Sequence, residues 1–108
     1  MAEKIKLVQS DTRPALVVTL TDESTGAPIN VTGGTPRLKF RAVGASVLTD
    51  TLVGNVTDGP NGMCVFNWSP TSLTGEPGDY EGEIEVTFPD ARVQTVYDLL
   101  KFKMRREF

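Results

Sequence analysis

The chain contains short runs in which apolar and polar residues alternate, and the clearest of them follows a Pro-Gly-Asp turn at 77–79. After Tyr80, the even positions up to 88 are glycine or apolar residues, whereas the odd positions carry three glutamates and a threonine. Successive side chains of a strand point to opposite faces of a sheet, so this alternation predicts a strand with one buried face and one solvent face.

Other runs of this kind lie at 4–9, 14–21, 37–42, 63–68 and 92–104. Residues 47–57 have a looser pattern that predicts one or two short strands, and Gly, Pro, Asn and Asp mark the turns. No helix-period apolar pattern of useful length occurs. In the last run both parities carry apolar residues, which predicts a bulge or a partly covered outer face near 97–99.

These elements together indicate a fold class. A tyrosine at a turn directly before a strand, as at Tyr80, is typical of the tyrosine corner of immunoglobulin-like sandwiches, in which the phenol hydroxyl bonds to nearby backbone. Regularly spaced short strands without helices are typical of the same architecture. We therefore expect an all-β fold, an immunoglobulin-like antiparallel β-sandwich of about seven to eight strands, as a single domain over 1–108.

The composition agrees with a domain that folds by packing alone. The chain has 108 residues and a single cysteine, Cys64, so no intramolecular disulfide can form. No window reaches the roughly 18 apolar residues of a membrane helix, and the first six residues lack the apolar run of a signal peptide. We expect neither a membrane protein nor a secreted one.

Charge and residue usage argue against two function classes. The net charge is -3, with both signs spread along the chain, which argues against an electrostatic nucleic-acid binder. Histidine, the usual general base near neutral pH and a common metal ligand, does not occur. We therefore expect no catalytic, metal-binding or cofactor-binding residues, and no enzymatic activity.

Three of the predicted strands carry charged residues at alternate positions. Positions 37, 39 and 41 are basic, positions 81, 83 and 85 are acidic, and positions 101, 103 and 105 are basic again. In an immunoglobulin-like sandwich the third, sixth and seventh strands form one sheet with the sixth in the middle. We therefore expect the acidic strand between the two basic ones, where cross-strand pairs contribute about 0.2 to 1 kcal/mol each and specify the register. The alternative is a solvated face whose signs are accidental.

Several residues invite a chemical role that the pattern argues against. The three glutamates have a spacing of about 7 Å per step, which overlaps the carboxylate separation of inverting glycosidases. Flanking cations keep carboxylates ionised, and an open sheet face offers no cleft, so we do not assign catalysis to them. Cys64 and Trp68 share a strand parity with Phe66, so both are predicted to lie in the core.

The apolar end of the last strand is the region expected to contact other proteins. The interface candidates are Tyr97, Leu99, Met104 and Phe108. Together with the amino-terminal strand, they would supply an edge or a patch to a neighbouring subunit. The alternative interpretation is a frayed terminus over an ordinary core.

Six segments carry a resemblance to a known family: LVQSDTRPAL at 7–16, TDESTGAPI at 21–29, RLKF at 37–40, GMCVF at 62–66, GDYEGEI at 78–84 and LKFKM at 100–104. In this order they resemble the amino-terminal domain of phage baseplate upper proteins, over nearly the whole chain. The resemblance implies an immunoglobulin-like module that docks onto other virion proteins and carries host-binding parts. The chain stops at Phe108, without the extension that would hold a receptor-binding tip, so we expect a stand-alone virion component.

The expected function is therefore that of a non-enzymatic phage virion structural protein in the tail, baseplate or neck. Its expected partners are other phage structural proteins, and the chain itself is expected to form a homo-oligomer or to occur in several copies in the virion, after assembly in the host cytoplasm. No cofactor, nucleic acid or membrane is expected to bind. A capsid decoration protein is the alternative within this class. An immunoglobulin-like carbohydrate-binding module that uses Tyr97 or Trp68 is the alternative from another class.

Overall fold

Two β-sheets pack face to face in the computed structural model, which describes residues 4–108. The strands of this part of the chain are β1 (Ile5–Val8), β2 (Leu16–Thr19), β3 (Thr35–Ala42), β4 (Asp50–Val53), β5 (Asn55–Asp58), β6 (Met63–Phe66), β7 (Gly78–Thr87), β8 (Val93–Thr95) and β9 (Leu100–Arg105). The larger sheet has the order β1-β9-β7-β3-β4, with β8 also paired to β7, and the smaller sheet has the order β2-β6-β5. The prediction of an all-β sandwich is confirmed.

The strand order corresponds to that of an immunoglobulin domain. The smaller sheet matches strands B, E and D, and the run β9-β7-β3-β4 matches G, F, C and C′ of the variable type. The described strand pairs are antiparallel, as predicted, except that β1 runs parallel to β9. This parallel pair places the amino-terminal strand at one edge of the larger sheet.

The described residues form nine strands, one more than the upper limit of the prediction, because the last predicted run divides in two. Residues 47–57 yield β4 and β5, which belong to different sheets and meet at Gly54. The last run yields β8 and β9, which both pair with β7.

The break between β8 and β9 is the bulge predicted near 97–99. From Gly82 to Glu85, β7 advances three residues, whereas the facing chain takes five, from Leu100 back to Thr95. Two extra residues keep the parity of the strand. Inward and outward positions therefore keep the same parity in β8 and β9. Val96 still donates to the carbonyl oxygen of Ile84 at 2.8 Å, and residues 97–99 leave the ladder.

Aromatic rings fill the centre of the sandwich. The ring of Phe40 stacks on Tyr80 at 4.9 Å between centroids and meets Trp68 and Phe102 edge-on, each at 5.2 Å. Gly82 lies where antibody domains place the second cysteine of their inter-sheet disulfide. A Cβ there would lie 2.7 Å from Cδ1 of Leu38, so packed side chains occupy the space that the disulfide would take. Phe40 and Phe102 are 0 % exposed, and this cluster holds the two sheets together.

Candidate protein-interaction surfaces

The outer face of the larger sheet carries a ladder of opposite charges. Its central strand, β7, lies between β3 and β9, so the predicted order of basic, acidic and basic strands is confirmed. The register places Glu81 between Arg41 and Lys101. Nε of Arg41 lies 2.9 Å from one carboxylate oxygen of Glu81, and Nζ of Lys101 lies 3.6 Å from the other. A third pair joins Lys39 to Glu85 at 3.2 Å.

This ladder is an element of the fold. The side chain of Glu81 is only 11 % exposed, and a carboxylate so far removed from water requires cations close to it. Both oxygens of Glu81 have such a partner, which leaves neither free for a substrate. The ladder therefore orders the strands, and sites for partners are to be sought beyond it.

The break in the last strand forms one such site. Tyr97 leaves the ladder there and is 81 % exposed, and Leu99 beside it is half-buried. Leu99 and Leu48, from the loop between β3 and β4, line one depression on the outer face together with Glu83. Glu83, Tyr97 and Leu99 also line a broader groove next to it. We call Leu48, Glu83, Tyr97 and Leu99 the strand-break surface.

The rim of the strand-break surface is acidic on one side. Asp98, between Tyr97 and Leu99, approaches Glu23 in the turn that follows β2. Partial desolvation and the neighbouring Asp98 carboxylate raise the pKa of Glu23. The two carboxylates repel each other at neutral pH, so this rim favours a partner that brings donors or cations.

The other predicted interface residues have different positions. Met104 is 2 % exposed, so its assignment to an interface is wrong. It faces inward because it shares the parity of Phe102 on β9, and it lies beside Leu7 of β1. Phe108 is fully exposed, and its ring lies 5.3 Å from the guanidinium carbon of Arg105.

Two residues considered for chemistry lie in the core, as predicted. Trp68 is 6 % exposed and packs against Phe40, so its indole offers no platform for a sugar. Cys64 is fully buried on β6, and burial raises the pKa of its thiol. A raised thiol pKa disfavours the reactive thiolate.

Tyr80 makes the hydrogen bond that a tyrosine corner requires. Its hydroxyl donates to the carbonyl oxygen of Glu76 at 2.6 Å, and the ring is 5 % exposed. Burial and the nearby carboxylate of Glu76 raise the pKa of Tyr80. The bond fastens the loop before β7 to the strand that carries the acidic side of the ladder.

A polar cluster at the start of β4 was not predicted from the pattern of single strands. Oγ of Ser72 donates to Oδ2 of Asp50 at 2.6 Å, and Oγ of Ser69 donates to the same oxygen at 3.0 Å. Ser72 is 1 % exposed. The cluster ties the loop after β6 to the larger sheet, and the hydroxyl-rich segment 69–72 was its only signal in the sequence.

A group of cations at the edge of the larger sheet was also missed. The parallel pairing of β1 with β9 sets Lys6 directly opposite Lys103, and Val8 opposite Arg105. Lys4 bonds to Asp79 of β7 at 2.9 Å, and this bond lowers the pKa of Asp79. The alternation of lysines at 4 and 6 was the available signal, but the neighbour of β1 could not be read from it.

Within residues 4–108 there is no helix that could cross a membrane, and no three acidic or cysteine side chains converge as metal ligands would.

A scan against protein-family models and a search of the curated proteins returned no match for this chain.

Proposed function

We propose that this chain is a non-enzymatic structural protein of a phage particle, an immunoglobulin-like module of the tail, baseplate or neck that docks to other virion proteins. Two lines of reasoning support the proposal. The sequence resembles the amino-terminal domain of phage baseplate upper proteins, and the chain folds as a sandwich of the kind that this resemblance implies. Fold alone does not define function, so the proposal depends on a surface suited to docking.

The observation that carries the proposal is the strand-break surface. Tyrosine is enriched among the residues that dominate binding energy at protein interfaces, and Tyr97 is 81 % exposed. Its neighbour Leu99 and the leucine at position 48 add apolar area, and Glu83 supplies a polar rim. An apolar centre with a polar rim is the usual composition of a docking site.

The first experiment asks whether the chain is part of the particle. Virions of the phage that encodes it are purified and examined by mass spectrometry, and the chain is expected in several copies. Separation of tails from emptied heads then distinguishes a tail or baseplate component from a capsid decoration protein. Absence of the chain from intact particles would contradict the proposal.

A second experiment tests the surface itself. A phage that lacks the gene is complemented with the Tyr97→Ser variant, which is expected to reduce incorporation into particles by about tenfold or more, the loss typical of an interface hot spot. The matched control is Val47→Ser, since Val47 is a similarly exposed residue of the β3–β4 loop at 74 %. Equal incorporation of both variants would remove Tyr97 from the interface.

The exposure of Tyr97 also favours a second candidate, a carbohydrate-binding module. Exposed aromatic rings stack on sugar faces, and the groove beside Tyr97 is lined by Glu83, Asp98 and Lys101, whose polar groups suit hydroxyls. A glycan array probed with the wild-type chain and the Tyr97→Ser variant tests it. Glycan retention that depends on Tyr97 would support this candidate, and silence of the wild-type chain would remove it.

A further inference from the structure

Several cations at the edge of the larger sheet form no ion pair within the part of the chain that the structure describes. Residues 4–8 and 100–105 contain five basic residues and no acidic ones. Three of them, Lys6, Lys103 and Arg105, are exposed and line a shallow groove of about 310 Å³ between β1 and β9. We call these three residues the basic strip.

The register of β1 on β9 places like charges opposite each other in this strip. Lys6 faces Lys103 directly across the two strands, an arrangement that destabilises a sheet. Elsewhere on the same face the register does the opposite, since Glu81 faces both Arg41 and Lys101. The ladder is thus complementary within the fold, whereas the strip is not.

Neighbouring acids offset this excess only in part. Within residues 4–108, no ion pair involves Lys6, Lys103 or Arg105. Asp79 faces Lys103 across β7 and β9 and is attracted by its charge, but the carboxylate of Asp79 bonds to Lys4 at 2.9 Å. Arg105 donates to the carbonyl of Arg106, and its guanidinium lies near the ring of Phe108.

The strip is open to a partner. Among residues 4–108, β1 pairs only with β9, so the strip lies at the rim of the sheet, where a second molecule can approach. Leu7 and Val8 of β1 also line this groove. The surface therefore offers positive charge with a small apolar floor.

We propose that the basic strip binds an extended acidic segment of a partner protein, with carboxylates at alternate positions. Outward side chains along a strand repeat about every 7 Å, so alternate carboxylates of an extended segment match the repeat of Lys103 and Arg105. The same arrangement occurs within the fold, where β7 presents alternate carboxylates to the alternate cations of β3. The inference rests on the proposed docking function and names the chemistry of one partner.

A nucleic acid is the less suitable occupant. A protein that binds a phosphate backbone usually presents a broad basic surface, whereas this chain has a net charge of -3. The acidic residues of β7, Asp79 and Glu81, also lie on the same face, one strand away from the strip. A short acidic segment needs a binding surface only two strands wide, which β1 and β9 supply.

The test measures binding of a labelled ten-residue peptide of alternating Glu and Thr by fluorescence anisotropy at low salt. The wild-type chain is expected to bind it and to release it as salt rises. Lys6→Glu is expected to weaken binding by about tenfold or more, through repulsion of the carboxylates. The same change creates an opposite-charge pair with Lys103, so the melting temperature is expected to stay the same or rise.

The matched control is Arg92→Glu, which alters net charge equally at an exposed turn and is expected to change binding by less than about twofold. Failure of the wild-type chain to bind the peptide, or equal weakening by both variants, would overturn the inference. A ten-nucleotide single-stranded DNA that binds more tightly than the peptide, with the same dependence on Lys6, would overturn it in favour of a nucleic acid. None of these outcomes alters the presence of the chain in virions, so the proposed function is tested separately.

Discussion

The two outer faces of the sandwich are built from different kinds of side chain. On the larger sheet, charges alternate in sign from β3 to β7 to β9, and Glu81 at the centre has a cation on each side. On the smaller sheet, the outward residues of β2, β5 and β6 are uncharged except Asp58, which lies opposite Met63 beyond the bulge at the end of β5. The uncharged ones are Val17, Thr19, Asn55, Thr57, Met63 and Val65.

The difference shows that the two sheets obtain their strand order from different sources. Opposite charges favour one neighbour and one register, so the larger sheet has this information on its outer face as well as in its core. The smaller sheet has only its inner face and its turns. Gly62, at φ +70°, directly precedes β6, and a Cβ there would lie 2.6 Å from the carbonyl oxygen of Leu20, so the turn fixes how β6 meets β2.

The largest predicted change in stability follows from placing a lysine at the centre of each outer face. Glu81→Lys is expected to lower the free energy of unfolding by about 3 kcal/mol, because the new cation would be mostly buried between Arg41 and Lys101. Val65→Lys, on the central strand of the smaller sheet, is expected to cost about 1 kcal/mol or less, because its stem lies along the sheet and its amine reaches water. Urea denaturation measures both.

Equal losses in the two variants would contradict the comparison. A loss at Val65 larger than that at Glu81 would mean that the neutral face is the more strictly specified of the two. A change in the slope with urea concentration would indicate that the ensemble, and not only the stability, has changed.

A smaller effect separates the two faces of β7 itself. Tyr80→Phe removes the hydrogen bond to the carbonyl of Glu76 and is expected to destabilise the protein by about 1 kcal/mol. The control is Tyr97→Phe, because that ring is 81 % exposed and its hydroxyl loses nothing on folding. If Tyr80→Phe is as stable as the wild type, β7 is held by its ladder and its packing, and the corner bond adds nothing.

Much of the larger sheet could be predicted because its pattern is local. Alternation with period two identified β3 and β7, and the charges at their odd positions then predicted their adjacency. The aromatic character of the inward positions likewise placed Trp68 and Cys64 in the core. These predictions depend on side chains in one strand and on a single rule of sheet geometry.

The errors and omissions concern properties that depend on a distant segment. Met104 was assigned to an interface although its parity with Phe102 already favoured the core. The like-charge pair of Lys6 and Lys103 depends on the parallel placement of β1, which no local pattern specifies. The bonds from Ser69 and Ser72 to Asp50 join residues about twenty positions apart, and their geometry follows from the fold. Sites of this kind become visible only when the strands are assembled.

The smallest predicted effect concerns the ion pair between Asp79 and Lys4 on the charged face. The hydrogen bond and charge of Lys4 lower the pKa of Asp79 below its ordinary value of 3.8. A lowered pKa in the folded state stabilises the protein above the unfolded pKa, and this contribution is lost as the pH falls through the folded pKa. Lys4→Gln is therefore expected to raise the pKa of Asp79, which NMR titration of its side-chain carboxyl measures. Lys6→Gln is the matched control, since it retains the bond from Lys4. An unchanged titration of Asp79 in Lys4→Gln would mean that water screens the ion pair. The strand order of the larger sheet would then be specified by the charges on β3, β7 and β9, without a contribution from Lys4.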